Sequence, residues 1–142
     1  MLTNALFQKF VTFISAVHQT THEMTKDARS IEITALQYKI LEYVAINQPV
    51  NLSDISDCMH MSMPNTSREL RKLSEKQLCS KTSETEDKRK QSIRLSERGE
   101  ALMTASFQAA EAQFLKRIET VSDQERQDIE RALDLLSSKV FY

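Results

Sequence analysis

A chain of 142 residues that is 40% hydrophobic and 27% charged has the size and balance of an ordinary globular domain, which excludes a disordered or fibrous protein. One glycine and two prolines leave little material for tight hairpins or glycine-rich phosphate loops, so the composition favours helices. The net charge of −1, the lack of an apolar run near the roughly 18 residues of a membrane span, and a start without a basic signal region together predict a soluble, cytoplasmic protein.

The first predicted element is a helix at the start of the chain, where apolar residues recur at the spacing of one helix face. This face is wide and aromatic, so it needs a cover, either in the protein's own core or on a partner subunit. The periodicity lapses near 27–33, which indicates a connection. The apolar positions are Leu2, Leu6, Phe7, Phe10, Val11, Phe13, Ile14 and Val17.

Capping patterns predict the next two helices. Thr34 and Gln37 form a capping box, in which each side chain accepts a hydrogen bond from the other residue's backbone. This helix is expected to end at 47–49, because Pro49 disfavours a helical conformation in the residue before it. Asn51 can cap a short helix over 52–59. The buried face of the first of these helices is predicted to contain Leu36, Ile40, Leu41, Val44 and Tyr43.

A third helix is predicted directly afterwards, with Ser62 as its cap and Pro64 in its first turn, where a missing backbone donor costs little. Two short helices joined by a brief turn, the second displaying basic residues, form a helix-turn-helix whose second helix can enter a major groove. The expected buried positions are Thr66, Leu70, Leu73 and Gln77, and opposite them lie Asn65, Arg68, Arg71, Lys72 and Glu75.

From Leu78 the pattern changes to near alternation, which predicts two strands, Cys79 to Glu84 and Gln91 to Ser96, with Ile93 and Leu95 on one side of the second. A β-hairpin directly after such a helix is a wing, and its charged tip can reach the minor groove or flanking phosphates. Residues 62–98 contain ten Lys and Arg against six Asp and Glu, which indicates a localised basic surface in an otherwise acidic chain.

Two longer amphipathic helices are predicted at the end of the chain. Ser96 caps the first, and a capping pattern at 122–125 separates it from the second. The apolar positions are Leu102, Met103, Phe107, Phe114, Leu115 and Ile118 in the first helix, and Ile129, Leu133, Leu136 and Val140 in the second.

The segment 87–99 resembles the wing of MarR-family regulators, whose pattern is roughly D-x-R-x(5)-L-[TS]-x-x-G. The segment 33–41 is similar to that family's second-helix opening, and 61–78 is similar to its recognition helix with the following E-K-G-L turn. Here the turn has Gln77 in place of the glycine, which predicts a helix end without a left-handed residue. The resemblance covers nearly the whole chain in the expected order.

The resemblance implies a mainly α fold with a small β-hairpin wing, a winged helix-turn-helix with N- and C-terminal dimerisation helices. It implies one MarR-type domain over 1–142, with a DNA-binding lobe at 34–99 and dimerisation helices at 1–30 and 100–142. Such a homodimer would hold two recognition helices about 34 Å apart over a pseudo-palindromic operator in double-stranded DNA. Family members usually act as repressors, and many release DNA when a small aromatic effector binds between the dimer helices and the DNA lobe.

The resemblance also assigns roles to particular residues. Asn65 and Arg68 are expected at base edges and Lys72 at phosphate, while Asp87 is expected to brace Arg89 or a nearby arginine. The whole expected DNA-binding set is Ser62, Met63, Pro64, Asn65, Ser67, Arg68, Arg71 and Lys72 on the recognition helix and Asp87, Lys88, Arg89 and Lys90 on the wing. The expected dimerisation residues are Leu6, Phe10, Phe13, Val17, Ile129, Leu133, Leu136 and Val140.

Three alternatives remain open from the residues. Cys58 is expected to be a small buried side chain, but in an oxidant-sensing regulator it would be the reactive thiol. The chain could be a winged-helix interaction module that binds a protein instead of DNA. His18 and His22, four apart on the first helix, could hold a metal, although polar helix-end residues are the simpler reading, as a turn residue is for His60.

Catalysis has no support in the sequence. The two cysteines form no C-x-x-C pair, so neither a disulfide framework nor a zinc ribbon is indicated and both thiols are expected to be reduced. No phosphate loop or nucleophile elbow is present, and the three histidines do not suggest a triad. We therefore expect a protein that is not an enzyme, has no cofactor and no bound metal, and does not associate with membranes.

Overall fold

A computed structural model describes residues 4–26, 32–83 and 91–142 of the chain. The described elements are six helices and one antiparallel pair of strands, so the predicted mainly α fold with a β-hairpin is confirmed. The chain divides into two compact units, 1–110 and 111–142, which are described separately. In chain order the elements are α1 (Ala5–Lys26), α2 (Ala35–Asn47), α3 (Leu52–Met59), α4 (Met63–Glu75), β1 (Cys79–Ser83), β2 (Gln91–Leu95), α5 (Glu97–Arg117) and α6 (Asp123–Lys139).

The predicted helix starts are confirmed. At α2, the Gln37 N–H donates to Thr34 Oγ1 (3.1 Å) and the Thr34 N–H donates to Gln37 Oε1 (3.2 Å). The same reciprocal pair occurs at Asn51 before α3 and at Ser122 before α6, and Ser62 accepts from a backbone N–H at the start of α4. These side chains satisfy backbone donors that the helix itself leaves unpaired, which is why local sequence alone located them.

Two helix ends also agree with expectation. Gln48, after α2, has an extended backbone (φ −56°, ψ 140°), as a residue before proline favours. His60 ends α3 in the left-handed conformation (φ 53°), which confirms its role as a turn residue. The break between α3 and α4 that makes the helix-turn-helix is therefore set by His60 and by the cap at Ser62.

The end of α4 differs from expectation at Gln77. Its φ is 60°, so the helix does end on a left-handed residue, and its side chain is exposed rather than buried. The left-handed turn lets the Gln77 N–H donate to Ser74 O and the Leu78 N–H donate to Leu73 O, both at 2.9 Å. This is the Schellman pattern, which satisfies the last helix carbonyls even though glycine is absent here.

The two strands form the predicted hairpin, with Cys79 opposite Leu95 and Lys81 opposite Ile93. Ile93 and Leu95 are both buried, as predicted, but β2 ends at Leu95, because Ser96 instead caps α5 by accepting from the Gly99 N–H at 2.9 Å. The predicted last residue of the first strand, Glu84, lies outside the described residues.

The hairpin is joined to the end of α2. Val50 pairs with Ile93 in both directions, at 3.1 and 2.7 Å, and the side chain of Gln48 accepts a hydrogen bond from the Leu95 N–H at 3.0 Å. Gln48 Nε2 also donates to Glu100 Oε1 at 3.0 Å, so this one side chain links α2, β2 and α5.

The core of the first unit lies among α2, α3, α4 and the hairpin. Ile40, Leu41 and Val44 are fully buried, as predicted for α2, whereas Leu36 and Tyr43 are only partly buried at its edge. Sequence periodicity did not place Gln37 and Tyr38 in the buried set, although both are buried. The other members of this core include Ile55, Leu70, Leu73, Leu78 and Met103.

Candidate nucleic-acid interface

Helix α4 is fixed against α3 by a pair of buried hydroxyl groups. The hydroxyls of Ser56 and Thr66 lie 2.9 Å apart, and Thr66 donates in turn to Ser62 O at 2.9 Å. Both residues are almost fully buried. A buried hydroxyl without a partner is costly, so this pair favours one placement of α4 over others.

A second link joins α4 to the start of α2. Gln37, only 2% exposed, donates from Nε2 to Glu69 Oε2 at 3.1 Å and accepts from Lys76 Nζ at 3.0 Å. Lys76 also donates to the backbone carbonyl of Glu32. Gln37 therefore serves both as part of the α2 capping box and as the bridge to α4.

The predicted recognition residues share one side of α4. Seven of the eight are exposed and Ser67 is half-buried, while Thr66, Leu70 and Leu73 face the core. Arg68 donates to Asn65 Oδ1 at 3.0 Å, so the two residues expected at base edges are already paired with each other. The exposed members are Ser62, Met63, Pro64, Asn65, Arg68, Arg71 and Lys72.

The basic residues of this face differ in how their charge is balanced. Lys72 forms an ion pair with Glu69 at 3.3 Å, an exposed pair of the kind that contributes little stability. Arg71 has no hydrogen-bond or ion-pair partner within the described parts of the chain. Arg68 is bonded only to the neutral amide of Asn65, so among the described residues the uncompensated positive charge of this face lies at Arg68 and Arg71 rather than at Lys72.

An open cleft of about 650 Å³ lies between α4 and β1. Arg68 and Arg71 line it from the helix and Lys81 from the strand. Sequence analysis counted Lys81 in the basic segment but did not select it as a site residue. The sequence feature that could have identified Lys81 is strand alternation. Residues two apart on a strand lie on the same face, so Lys81 lies on the face of the buried Cys79, toward α4.

The predicted wing contacts Asp87, Lys88, Arg89 and Lys90 lie outside the described residues. The described base of the hairpin carries Arg94, which is exposed, and the start of α5 carries Arg98, which forms an ion pair with Glu32 at 2.7 Å. The roles expected of the wing tip stay predictions.

The expected dimerisation residues remain largely uncovered in the single chain. Leu6 is 77% exposed on α1 and Leu133 is 53% exposed on α6, and neither helix has a buried residue within its described length. Phe10 and Leu136 are half-buried, and Phe10 stacks on Phe7 with ring centroids 6.4 Å apart. The other four, all exposed, are Phe13, Val17, Ile129 and Val140.

A smaller crevice of about 220 Å³ lies between α1 and α2. Its lining includes His18, His22, Tyr38 and Glu42. Tyr38 is 5% exposed, and among the described residues its hydroxyl has no hydrogen-bond partner. Burial raises the pKa of Glu42, and Lys39 opposes that shift. The described residues bring no third His, Cys, Asp or Glu to the two histidines in a group suited to a metal ion.

The structure corrects the expectation for Cys58. It is exposed on α3, not buried, because the core-facing positions of this short helix are taken by Ile55 and Ser56. Cys79 is buried, and burial raises the pKa of its thiol to about 11. Both cysteines are free thiols, as predicted.

Comparison with known proteins gives a consistent result. Residues 33–90 match the sequence model of the MarR family, while no curated protein sequence matches the chain significantly. No helix among the described residues is long and apolar enough to cross a membrane. The resemblance to the MarR family stated from the sequence is confirmed.

Solved structures match over almost the full chain. A MarR family protein from Bacillus stearothermophilus has 21% identity and a TM-score of 0.77, covering 97% of this chain and 95% of its own. Staphylococcus aureus MarR in complex with salicylate and kanamycin has 20% identity and a TM-score of 0.75, covering 96% and 93%. A mutant of Staphylococcus aureus MepR bound to an oligodeoxyribonucleotide has 22% identity and a TM-score of 0.61, covering 93% and 96%. These likenesses establish the winged helix-turn-helix fold.

Proposed function

We propose that this chain, which matches the MarR family over residues 33–90 and has the fold of solved MarR-family proteins, is a regulator that binds specific sequences in double-stranded DNA as a homodimer. The observation that carries the proposal is the exposed polar and basic side of α4, held in place by the buried Ser56 and Thr66 hydroxyls. The Staphylococcus aureus MepR structure with a bound oligodeoxyribonucleotide supports it by likeness of fold.

Recognition is assigned to the first two turns of α4 in a major groove. Helix residues near the N-terminus contact base edges in this geometry, and Asn65 and Arg68 are exposed there. Arg pairs best with guanine and Asn with adenine. Their mutual hydrogen bond in the free protein orders both side chains, and it is exchanged for base contacts on binding. Lys72 contacts phosphate, and Arg89 carries the wing contact.

The homodimer is supported by exposed apolar side chains on helices at both ends of the chain. Phe13 and Val17 on α1 and Leu133 and Val140 on α6 are all at least 41% exposed. Apolar faces of this size on a monomer mark an interaction surface. The domain layout inferred from the resemblance, with a lobe at 34–99 between dimerisation helices at 1–30 and 100–142, is part of this proposal.

Release by a small aromatic molecule is assigned to the crevice between α1 and α2. A buried Tyr38 hydroxyl without a protein partner among the described residues is a group that a polar substituent on a ligand can satisfy. The Staphylococcus aureus MarR structure contains salicylate, which supports an aromatic effector for this fold. In this proposal the protein represses transcription while it is bound to DNA, and it leaves DNA when an effector binds in the crevice.

Oxidant sensing through Cys58 is the second candidate, and the exposure of that thiol favours it. It predicts that Cys58→Ser abolishes peroxide-induced loss of DNA binding. Unchanged release by peroxide in this variant would eliminate the candidate without affecting the DNA-binding proposal.

The test of the main proposal is enrichment of sequences from random duplex DNA by the purified protein. We expect a pseudo-palindrome with half-sites about one helical turn apart and an affinity that falls steeply with salt. A winged-helix protein that binds only another protein would enrich no sequence. No enrichment and no binding of duplex DNA at low salt would overturn the proposal.

A further inference from the structure

We propose that the cleft between α4 and β1 binds a backbone phosphate of the DNA and that Lys81 is the residue that contacts it. This inference rests on the proposed DNA-binding function and adds a site to it on the hairpin. Lys81 belongs neither to the recognition helix nor to the wing tip, and its role follows from the geometry of the cleft.

The lining of the cleft suits an anion. Arg68, Arg71 and Lys81 contribute three positive charges, Ser67 and Ser74 contribute hydroxyl groups, and no carboxylate is found among its described lining residues. The three positively charged residues line one open space of about 650 Å³. Like charges that line one cleft repel one another, and a phosphate bound among them removes that repulsion.

Lys81 also has no competing partner among the residues that the structure describes. Within the described residues its ammonium group forms no hydrogen bond or ion pair, in contrast with Lys72, which is paired with Glu69. An unpaired lysine does not have to break an existing contact in order to bind phosphate. Lys81 is therefore better placed to neutralise a phosphate than the lysine that sequence analysis selected.

The strand that carries Lys81 is anchored in the core. Its neighbour two residues away on the strand, Cys79, is buried in the core, and its cross-strand partner Ile93 is 2% exposed. Lys81 and Ser67 line both this cleft and a second one of about 370 Å³ that reaches Gln91. The lysine thus stands beside α4 between two open spaces, where a DNA strand flanking the groove occupied by α4 would run.

The experiment measures Kd by fluorescence anisotropy for two labelled duplexes of equal length, one with the sequence enriched from random DNA and one with that sequence scrambled. Each is measured over a series of KCl concentrations for the wild type, Lys81→Gln, Lys81→Arg and the control Lys9→Gln. Lys9 is an exposed lysine of the same unit on α1, outside the cleft and outside the apolar residues assigned to the dimer. Circular dichroism and thermal unfolding check that each variant is folded.

We expect Lys81→Gln to lower the slope of log Kd against log KCl concentration by about 0.9, the value for one phosphate contact on duplex DNA. It should weaken both duplexes by the same factor, because a phosphate contact reads no sequence. Lys81→Arg should keep the wild-type slope, and Lys9→Gln should behave as the wild type.

A wild-type slope in Lys81→Gln, with the wild type binding DNA, would overturn the phosphate site and leave the proposed function standing. A selective loss on the enriched duplex would also overturn it, since Lys81 would then read bases. If the wild type binds neither duplex at low salt, the proposed function fails and the phosphate site fails with it.

Discussion

At the scale of single residues, Gly99 is a position where the structure leaves no space for a Cβ atom. A Cβ built at Gly99 would lie 2.1 Å from the backbone oxygen of Leu78, which itself accepts a hydrogen bond from the Ser96 N–H at 3.0 Å. The atoms that the Cβ would meet are backbone atoms of Leu78, so no flexible side chain can move away to make room. The glycine at the end of the MarR-like wing pattern is thus explained by the close approach of α5 to the end of the α4 turn.

We predict that Gly99→Ala destabilises the protein by about 3 kcal/mol or more, measured by denaturant unfolding at one protein concentration. Thr104→Ala, an exposed change on the same helix, is the control and should stay within about 0.5 kcal/mol of the wild type. Equal stability of the two variants would show that α5 begins differently from the structure described.

At Gln77 we predict the opposite effect, a gain in stability when glycine is introduced. A non-glycine residue at φ 60° is strained, so Gln77→Gly should stabilise the protein by about 0.5–1 kcal/mol. Glu75→Gly, two residues earlier at the last position of α4, should instead cost about 1 kcal/mol, because its backbone is already helical. A loss of stability in both variants would contradict the left-handed end of α4.

The two cysteines should differ in reactivity. With a pKa of about 11, buried Cys79 has only about a thousandth of its thiol ionised at pH 8, and only 6% of the residue is exposed. A thiol-specific alkylating reagent at pH 8 should therefore modify Cys58 in the folded protein and Cys79 only after unfolding. Mass spectrometry of the digested protein distinguishes the sites, and early modification of Cys79 would refute its burial.

At the scale of elements, the contact between α3 and α4 is testable through the Ser56 and Thr66 hydroxyls. Ser56→Ala and Thr66→Val should each cost about 1 kcal/mol, because each removes one partner of a buried hydrogen bond. The double variant should cost less than the two single changes added together, by about 0.5 kcal/mol or more. Strict additivity in this double-mutant cycle would mean that the two hydroxyls do not interact.

The elements whose bounds were predicted well are those controlled by local chemistry. The starts of α2, α3 and α6 follow from capping boxes within four residues, and the alternation of Ile93 and Leu95 gave the buried side of β2. Features controlled by distant contacts were missed. Gln37 is buried because it bonds to Glu69, 32 residues away, and periodicity along one helix cannot show that.

The candidate site divides in the same way. The exposed side of α4 was predicted, because the spacing of Thr66, Leu70 and Leu73 shows which side is buried. Lys81 was missed, because its importance depends on the cleft that β1 forms with α4. The exposure of Cys58 was predicted wrongly, because a small thiol on a short helix gives no periodic signal strong enough to show which way it faces.

At the scale of the whole molecule, association is the central expectation. Leu133→Lys should dissociate or unfold the proposed dimer. It replaces an apolar side chain that is 53% exposed in the single chain with a charged one at the proposed interface. Gln127→Lys adds the same charge at an exposed polar position of the same helix and should leave the dimer intact. Sedimentation analysis gives the mass of each variant. A monomeric wild type, or a Leu133→Lys variant that stays an intact dimer, would contradict the proposed dimer.

The two ends of α2 contact different parts of the first unit. Its first turns line the crevice through Tyr38 and Glu42, and at its far end Gln48 bonds to Leu95 of the hairpin while Val50 pairs with Ile93. A helix of this length is stiff, so the proposed effector, by shifting the first turns of α2, would also shift the hairpin bonded to its far end. In the proposed regulator, the crevice would then control the angle of the hairpin without any contact between ligand and DNA.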